Sequence, residues 1–206
     1  KANCNGNDFI IILKDDLEKP LDKNFIISVC KRTTGIGSHG LLLIDTNING
    51  YDFRMDYFNN DGSWETFCGN GALCAIKLLI QKNFKFKKNL FISGDGDHKI
   101  IINQGIKLKM KNPSFKRYDV KVGGYLGSHV DSGARHFATI INQLDTLDLF
   151  NIAQDIRYHN LFAPNGINVN FVSINNFSNI NVTTYEKGVE EIMPSCASGS
   201  VAAAYY

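Results

Sequence analysis

The chain has 206 residues, 44% hydrophobic and 20% charged, with a formal net charge of +2. This composition describes an ordinary globule with a sizeable core, in one domain or two small ones, and it excludes a strongly basic nucleic-acid binder. No apolar run reaches the ~18 residues of a membrane span, so neither nucleic acid nor membrane is an expected partner.

Taken in order, Asn5-Gly6-Asn7-Asp8 is a turn-forming cluster, and Phe9 to Leu13 reads as a buried strand. The start, Lys1 to Gly6, is polar and unlike a signal peptide. Asp22 to Arg32 looks helical, with Phe25, Ile26 and Val29 on one face, and Gly35-Ile36-Gly37 breaks it. Leu41 to Ile44 is a strand, Asn49-Gly50 a hairpin signal and Tyr51 to Phe58 the returning strand. Gly69 to Gln81 is an apolar helix. Lys85, Lys87 and Lys88, with only Phe84 and Phe86 between them, read as a solvated face rather than a base-stacking platform. Leu90 to Leu108 is strand and turn, with turns at Gly94-Asp95-Gly96 and Asn103-Gln104-Gly105. Pro113-Ser114 is the expected boundary, giving halves 1–113 and 114–206. Beyond it, Tyr118 to Gly123 and Phe137 to Ile141 are strands and Asp145 to His159 is a helix. Ile167 to Ile174 and Asn179 to Tyr185 are strands, followed by a short helix from Gly199 to Tyr206. Each half thus sets strands before a late, cysteine-headed helix. The expected fold is α+β: two similar domains, each a mostly antiparallel sheet wrapped around a central helix. A second half built like the first would need further C-terminal strands.

The five cysteines are Cys4, Cys30, Cys68, Cys74 and Cys196. An odd count with irregular spacing argues against a disulfide framework, no Cys-x-x-Cys pair suggests zinc, and a reducing, cytoplasmic setting is expected. Two cysteines share a context. Cys68-Gly69-Asn70-Gly71-Ala72 and Cys196-Ala197-Ser198-Gly199-Ser200 both read Cys-small-polar-Gly-small. Each has a glycine and a carboxylate upstream: Gly62 and Glu65, then Gly188 and Glu190 or Glu191. A lone cysteine beside glycine is most often a small core residue, which is the reading for Cys4, Cys30 and Cys74; the repeat argues otherwise for Cys68 and Cys196.

Both cysteines are expected at helix N-termini. There the first N–H groups lack intrahelical partners, the dipole favours an anion, and a lowered thiol pKa is expected. Small following residues let a carboxylate reach the backbone. Two such ends would hold one carboxylate, with a sulfur on each side of the adjoining carbon. That suits moving a proton from one face of the α-carbon to the other, one thiolate as base and one thiol as acid. Nothing points to a cofactor, a metal or a nucleotide loop, and Gly35-Ile36-Gly37 alone is too weak to suggest one.

The motifs, in order, resemble those of the diaminopimelate epimerase family. The resemblance rests on Gly6-Asn7-Asp8-Phe9, Gly35-Ile36-Gly37 through Gly40-Leu41-Leu42-Leu43-Ile44, and Tyr57 to Ser63 with Cys68 to Gly71. It continues through Asp131 to Phe137, Gly166 to Val172, and Tyr185-Glu186-Lys187-Gly188-Val189-Glu190. It implies a cofactor-independent epimerase interconverting LL- and meso-diaminopimelate in lysine and peptidoglycan precursor synthesis. It also implies Cys68 and Cys196 as the acid/base thiols, with His136 and Glu186 orienting or tuning them. Asn7, Asn59 and Asn168 would bind the substrate, and the backbone of Gly69, Asn70, Ala197 and Ser198 would hold the reacting carboxylate. The partner is then a small amino acid, and a homodimer is one expectation for assembly.

Several departures from the family pattern fall on groups that would read the far end of the substrate, and none falls on the two thiols. Lys187 stands where the family has a substrate-binding arginine, keeping the charge without the planar fork. Ser38-His39 replaces the Ala-Asp of the glycine segment, and Leu73 an arginine. Ala134-Arg135 replaces a polar residue and proline, and Cys-Ala-Ser-Gly replaces Cys-Gly-Thr-Gly. Two alternatives therefore stand: a racemase of another amino acid with the same mechanism, or a non-catalytic amino-acid-binding relative.

Overall fold

The computed structural model describes residues 1–142 and 148–206. They form two compact units, Lys1–Met110 and Lys111–Tyr206.

The first unit runs β1 (Ala2–Cys4), β2 (Asn7–Leu13), α1 (Lys23–Cys30), β3 (Gly40–Asp45), β4 (Phe53–Asn59), β5 (Trp64–Glu65), α2 (Gly69–Gln81), β6 (Leu90–Ser93), β7 (Gly96–Ile102) and β8 (Ile106–Leu108). The sheet order is β1-β2-β3-β4-β6-β7-β8, with β5 paired to β4. The pairs β2–β3 and β4–β6 are parallel and the rest antiparallel. Helix α2 touches β1 and β8, the two ends of this order, as well as β2 and β3. The sheet therefore curls around the helix. Strand alternation explains the inward face: Phe53, Met55, Tyr57 and Asn59 are buried while Arg54 is exposed. They pack with Phe9, Leu42, Phe91 and the α2 residues Ala72, Ala75, Ile76 and Leu79. Burying Ile76 or Leu79 contributes about 1.5–3 kcal/mol each. Glycine at 71 allows close packing, because a Cβ there would lie 2.9 Å from Leu42 Cδ2.

The second unit runs β9 (Ser114–Val122), β10 (Tyr125–Asp131), β11 (Arg135–Ile140), α3 (Leu149–Arg157), β12 (Asn168–Asn176), β13 (Asn179–Glu186), β14 (Glu191–Met193) and α4 (Ala197–Tyr205). The sheet order is β14-β13-β12-β11-β10-β9, with β11–β12 parallel and the other neighbours antiparallel. Its two faces differ because side chains alternate. Phe137, Val169, Phe171 and Tyr185 form an apolar core with Ala153 and Ile156 of α3. The residues between them, His136, Asn168, Asn170 and Thr184, are also buried. Helix α4 packs against β11, β12 and β13. A polar face beneath a small-residue helix is the ground on which the second cysteine stands.

The fold is α+β, two sheet-rich units with few helices, as the strand and helix patterns predict. Strand β10 is the main element missed. Its Leu126-Gly127-Ser128-His129 core has little β-branched character, and Gly127 is required because a Cβ would lie 2.3 Å from the Ala138 carbonyl oxygen. The expected start of the third helix, Asp145, lies outside the described residues.

Candidate active site

Cys68 is the N-cap of α2, with φ −136° and ψ 113°, and its Sγ accepts the Gly71 N–H at 3.4 Å. Cys196 is the N-cap of α4, with φ −139° and ψ 115°, and its Sγ accepts the Gly199 N–H at 3.4 Å. Each carbonyl also accepts the N–H four residues on, Ala72 and Ser200, at 2.9 Å. The two caps are geometric copies. Each cap places the N–H groups of the two residues after the cysteine, Gly69 and Asn70 or Ala197 and Ser198, in the first turn of the helix, and the Ser198 N–H turns to Cys196 Sγ.

In the same unit as Cys68, Asn59 is buried; its Oδ1 accepts Tyr57 Oη–H at 2.7 Å and its Nδ2 donates to Ser63 Oγ at 3.1 Å. Asn7 is buried too, and its Oδ1 has no hydrogen-bond partner among the described residues. An orphaned buried oxygen costs about 1–3 kcal/mol, so this atom suits a donor from a ligand, such as an ammonium. Under the cysteine loop, Phe67 stacks on His98 with centroids 4.1 Å apart, and His98 Nε2 lies 2.8 Å from Asp95 Oδ1. In the sequence Gly94-Asp95-Gly96 carries only a turn signal, and nothing local marks this support.

Behind Cys196 runs a line of polar contacts. Cys196 Sγ lies 3.5 Å from Ser198 Oγ, which lies 2.9 Å from His136 Nε2. His136 Nδ1 lies 2.9 Å from Asn170 Oδ1, and Asn170 Nδ2 donates to the Gly199 carbonyl at 2.6 Å. Ser132 Oγ donates to the Ser198 carbonyl at 2.7 Å. His136 is fully buried, and burial lowers its pKa to about 4 against the opposing pull of the Asn170 hydrogen bond and the Asp131 charge; it is neutral near pH 7. Asn170 and Ser132 were not singled out from sequence, since an asparagine in a strand and a serine in a turn carry no local signal.

One expectation is reversed. The helix terminus predicts a lowered thiol pKa at Cys196, but the thiol is pushed up to about 12. Burial is the main cause and the Glu186 charge adds to it; the hydrogen bonds at the helix end pull the other way and lose. Cys196 is therefore a thiol, not a thiolate, at neutral pH. Cys74, inside α2, is also pushed to about 12 by burial, and Cys30 is buried with Ser38 Oγ donating to its sulfur at 3.2 Å. Both suit the core role expected of them.

Glu186 ends β13 and acts on Cys196 through its charge. Asn168 uses its amide on backbone: Nδ2 donates to the Arg135 carbonyl at 2.9 Å, and Oδ1 accepts the Lys187 N–H at 2.8 Å. It thereby ties the segments carrying His136 and Lys187 together. Among the described residues no group of three or more His, Cys, Asp or Glu side chains is arranged to hold a metal ion, and no helix is long and apolar enough to cross a membrane.

Comparison with known proteins gives the family and the fold. The family profile described as diaminopimelate epimerase matches residues 1–115. The diaminopimelate epimerase of Chlorobaculum tepidum is 36% identical over 203 residues, covering 97% of this chain and 79% of that protein. That of Hydrogenobaculum is 34% identical over 219 residues, covering 98% of this chain and 79% of its own length. Among solved structures, a hydroxyproline epimerase from Agrobacterium vitis aligns with a TM-score of 0.71 at 11% identity, over 97% of this chain and 72% of that one. A phenazine biosynthesis protein of the PhzF family from Bacillus anthracis aligns at 0.65 and 16% identity, over 95% and 72%. At such identities the structural matches speak for the fold alone.

Proposed function

The chain belongs to the diaminopimelate epimerase family, a family of isomerases, and on that premise we propose that it interconverts LL- and meso-diaminopimelate without a cofactor, using Cys68 and Cys196 as paired acid and base. The observation that carries this reading is the duplicated cap: two cysteines with matching backbone angles, each at a helix end suited to a carboxylate. In the reaction a Cys68 thiolate removes the α-proton, the C–H bond breaking as an S–H bond forms. The carbanion is held as an enolate-like carboxylate by the N–H groups of Gly69, Asn70, Ala197 and Ser198. The Cys196 S–H bond then breaks as a new C–H bond forms on the opposite face. The chain is left with a Cys68 thiol and a Cys196 thiolate, which is the state that serves the reverse direction. The orphaned Asn7 Oδ1 is assigned to the substrate ammonium. Asn59, Asn168 and Lys187 are assigned to the rest of the substrate, each half carrying one thiol. The product would feed lysine and peptidoglycan precursor synthesis, and a cytoplasmic setting would keep both thiols reduced.

A second reading, racemisation of another amino acid by the same chemistry, is favoured by one feature: Lys187 and Ala134-Arg135 alter the residues that would read the far end of diaminopimelate. Incubation in deuterium oxide under reducing conditions separates the two. Deuterium appearing at the α-carbon of the meso product formed from LL-diaminopimelate supports the first. Entry only into another amino acid of a panel supports the second, and no entry into any amino acid contradicts both.

A further inference from the structure

The line behind Cys196 has a direction, and the direction is set by Asn170. Its Nδ2 faces the Gly199 carbonyl at 2.6 Å. A flipped amide would set oxygen against oxygen there, so Oδ1 must face His136 Nδ1, 2.9 Å away. Oδ1 can only accept, so Nδ1 carries the imidazole proton. The neutral ring then presents a bare Nε2 to Ser198 Oγ at 2.9 Å, and the serine hydroxyl must donate its single proton to that nitrogen. With that proton committed, Ser198 Oγ has only lone pairs to offer Cys196 Sγ at 3.5 Å. It can accept from an S–H but cannot donate to a thiolate. We propose that Asn170 is a positioning residue which, through His136 and Ser198, keeps Cys196 as the proton-bearing member of the cysteine pair. This inference rests on the reading of Cys196 as an acid/base thiol. It assigns the resting state that the two-thiol mechanism leaves open at Cys196, which waits as the acid.

The other groups bearing on this line pull both ways: the Ser198 and Gly199 N–H groups favour a Cys196 thiolate, and burial outweighs them. Glu186 from β13 opposes a thiolate at Cys196, while Asp131 favours and His129 disfavours a proton on His136 from β10. Removing Asn170 leaves His136 Nδ1 without its acceptor. The ring is then free to take the Nε2–H tautomer and donate to Ser198, and the serine proton turns toward the sulfur and stabilises a thiolate.

The test is the pH dependence of iodoacetamide alkylation at Cys196, read by mass spectrometry of its peptide, which needs no substrate. Asn170→Ala should alkylate about tenfold faster at neutral pH than the parent, a shift of about one pKa unit. Ser198→Ala should leave the Cys196 profile where it was, and the double variant should lose the acceleration. Slower alkylation in Ser198→Ala would mean that the serine donates to the sulfur already, and would overturn the proposal, as would an unshifted Asn170→Ala. Should Asn170→Ala not fold, nitrogen-15 NMR of His136 in the unaltered protein decides: Nδ1–H with bare Nε2 supports the proposal, and Nε2–H overturns it. Because these readouts are independent of turnover, a chain that passes them yet exchanges no α-proton refutes the proposed function and not the assignment of Asn170.

Discussion

The Asp8 carboxylate grips the Arg32 guanidinium with two hydrogen bonds, Nη1 to Oδ2 at 3.2 Å and Nη2 to Oδ1 at 3.0 Å. His39 joins the pair, with Nδ1 2.7 Å from Asp8 Oδ1 and Nε2 3.0 Å from Arg32 Nη2. The guanidinium can only donate, so Nε2 accepts, while Nδ1 faces both the Asp8 carboxylate and the Asp8 N–H, the latter at 3.2 Å. A histidine fits this position beside Asp8, where an aspartate would set two carboxylates together. The cluster pins the head of β2 next to Asn7.

Burial alone would raise the Asp8 pKa, but Arg32, Lys1 and His39 together hold the carboxyl well below the usual range. Its contribution to stability is therefore present above the unfolded-state pKa of about 3.9 and lost as pH falls below it. Asp8→Asn should cost about 1–2 kcal/mol at pH 7, with a smaller difference near pH 3. Urea denaturation at the two pH values measures this; an equal loss at both would contradict it.

His136 gives the opposite group type and a different window. Its folded pKa of about 4 lies below the ordinary value of 6.5. Between these values the unfolded chain takes up a proton that the folded chain refuses, so stability falls as pH drops from about 6.5 toward 4. The fall should be at most on the order of 3 kcal/mol. His136→Gln should flatten that slope, measured by denaturant midpoints across the window, whatever it does to stability at pH 7.

Gly199 is a packing requirement of the second site. A Cβ there would lie 2.9 Å from both Asn170 Nδ2 and Thr184 Oγ1, atoms held by their own strands. Gly199→Ala should cost about 1–3 kcal/mol and displace the Asn170 amide from His136. Gly199→Ser should be no milder. A calorimetric scan of the alanine variant that overlays the parent would contradict this.

How far the sequence discloses this site depends on whether the signal is local. The bounds of α2, Gly69–Gln81, and both cysteine caps were legible, because small residues after a cysteine and an apolar run beyond it are adjacent in the chain. The polarity of Cys196 was not. The local helix end argues for a thiolate, and the opposing Glu186 and the burial come from packing that no short window contains. The same holds for Asn170, whose partners His136 and Gly199 lie on another strand and a helix. Strand β10 stayed hidden because its Gly127 answers to a neighbouring backbone rather than to strand propensity.

Under the proposed function, Lys187 reads the far end of the substrate. If it binds the far carboxylate as a point charge, Lys187→Arg should restore a forked contact and lower KM for diaminopimelate by about tenfold, with kcat little changed. A KM that rises, with another amino acid preferred, would favour the racemase reading instead.

The two-thiol claim also predicts that mild oxidation abolishes activity through a Cys68–Cys196 disulfide and that a reductant restores it. Its most direct test is the early time course of LL-diaminopimelate turnover in deuterium oxide. With separate monoprotic acid and base, the first meso product carries deuterium at the inverted α-carbon while unreacted LL substrate carries none, and Cys68→Ser or Cys196→Ser lowers the rate of product formation at least about a hundredfold. Early meso product without deuterium, or full turnover in either single variant, would contradict the account.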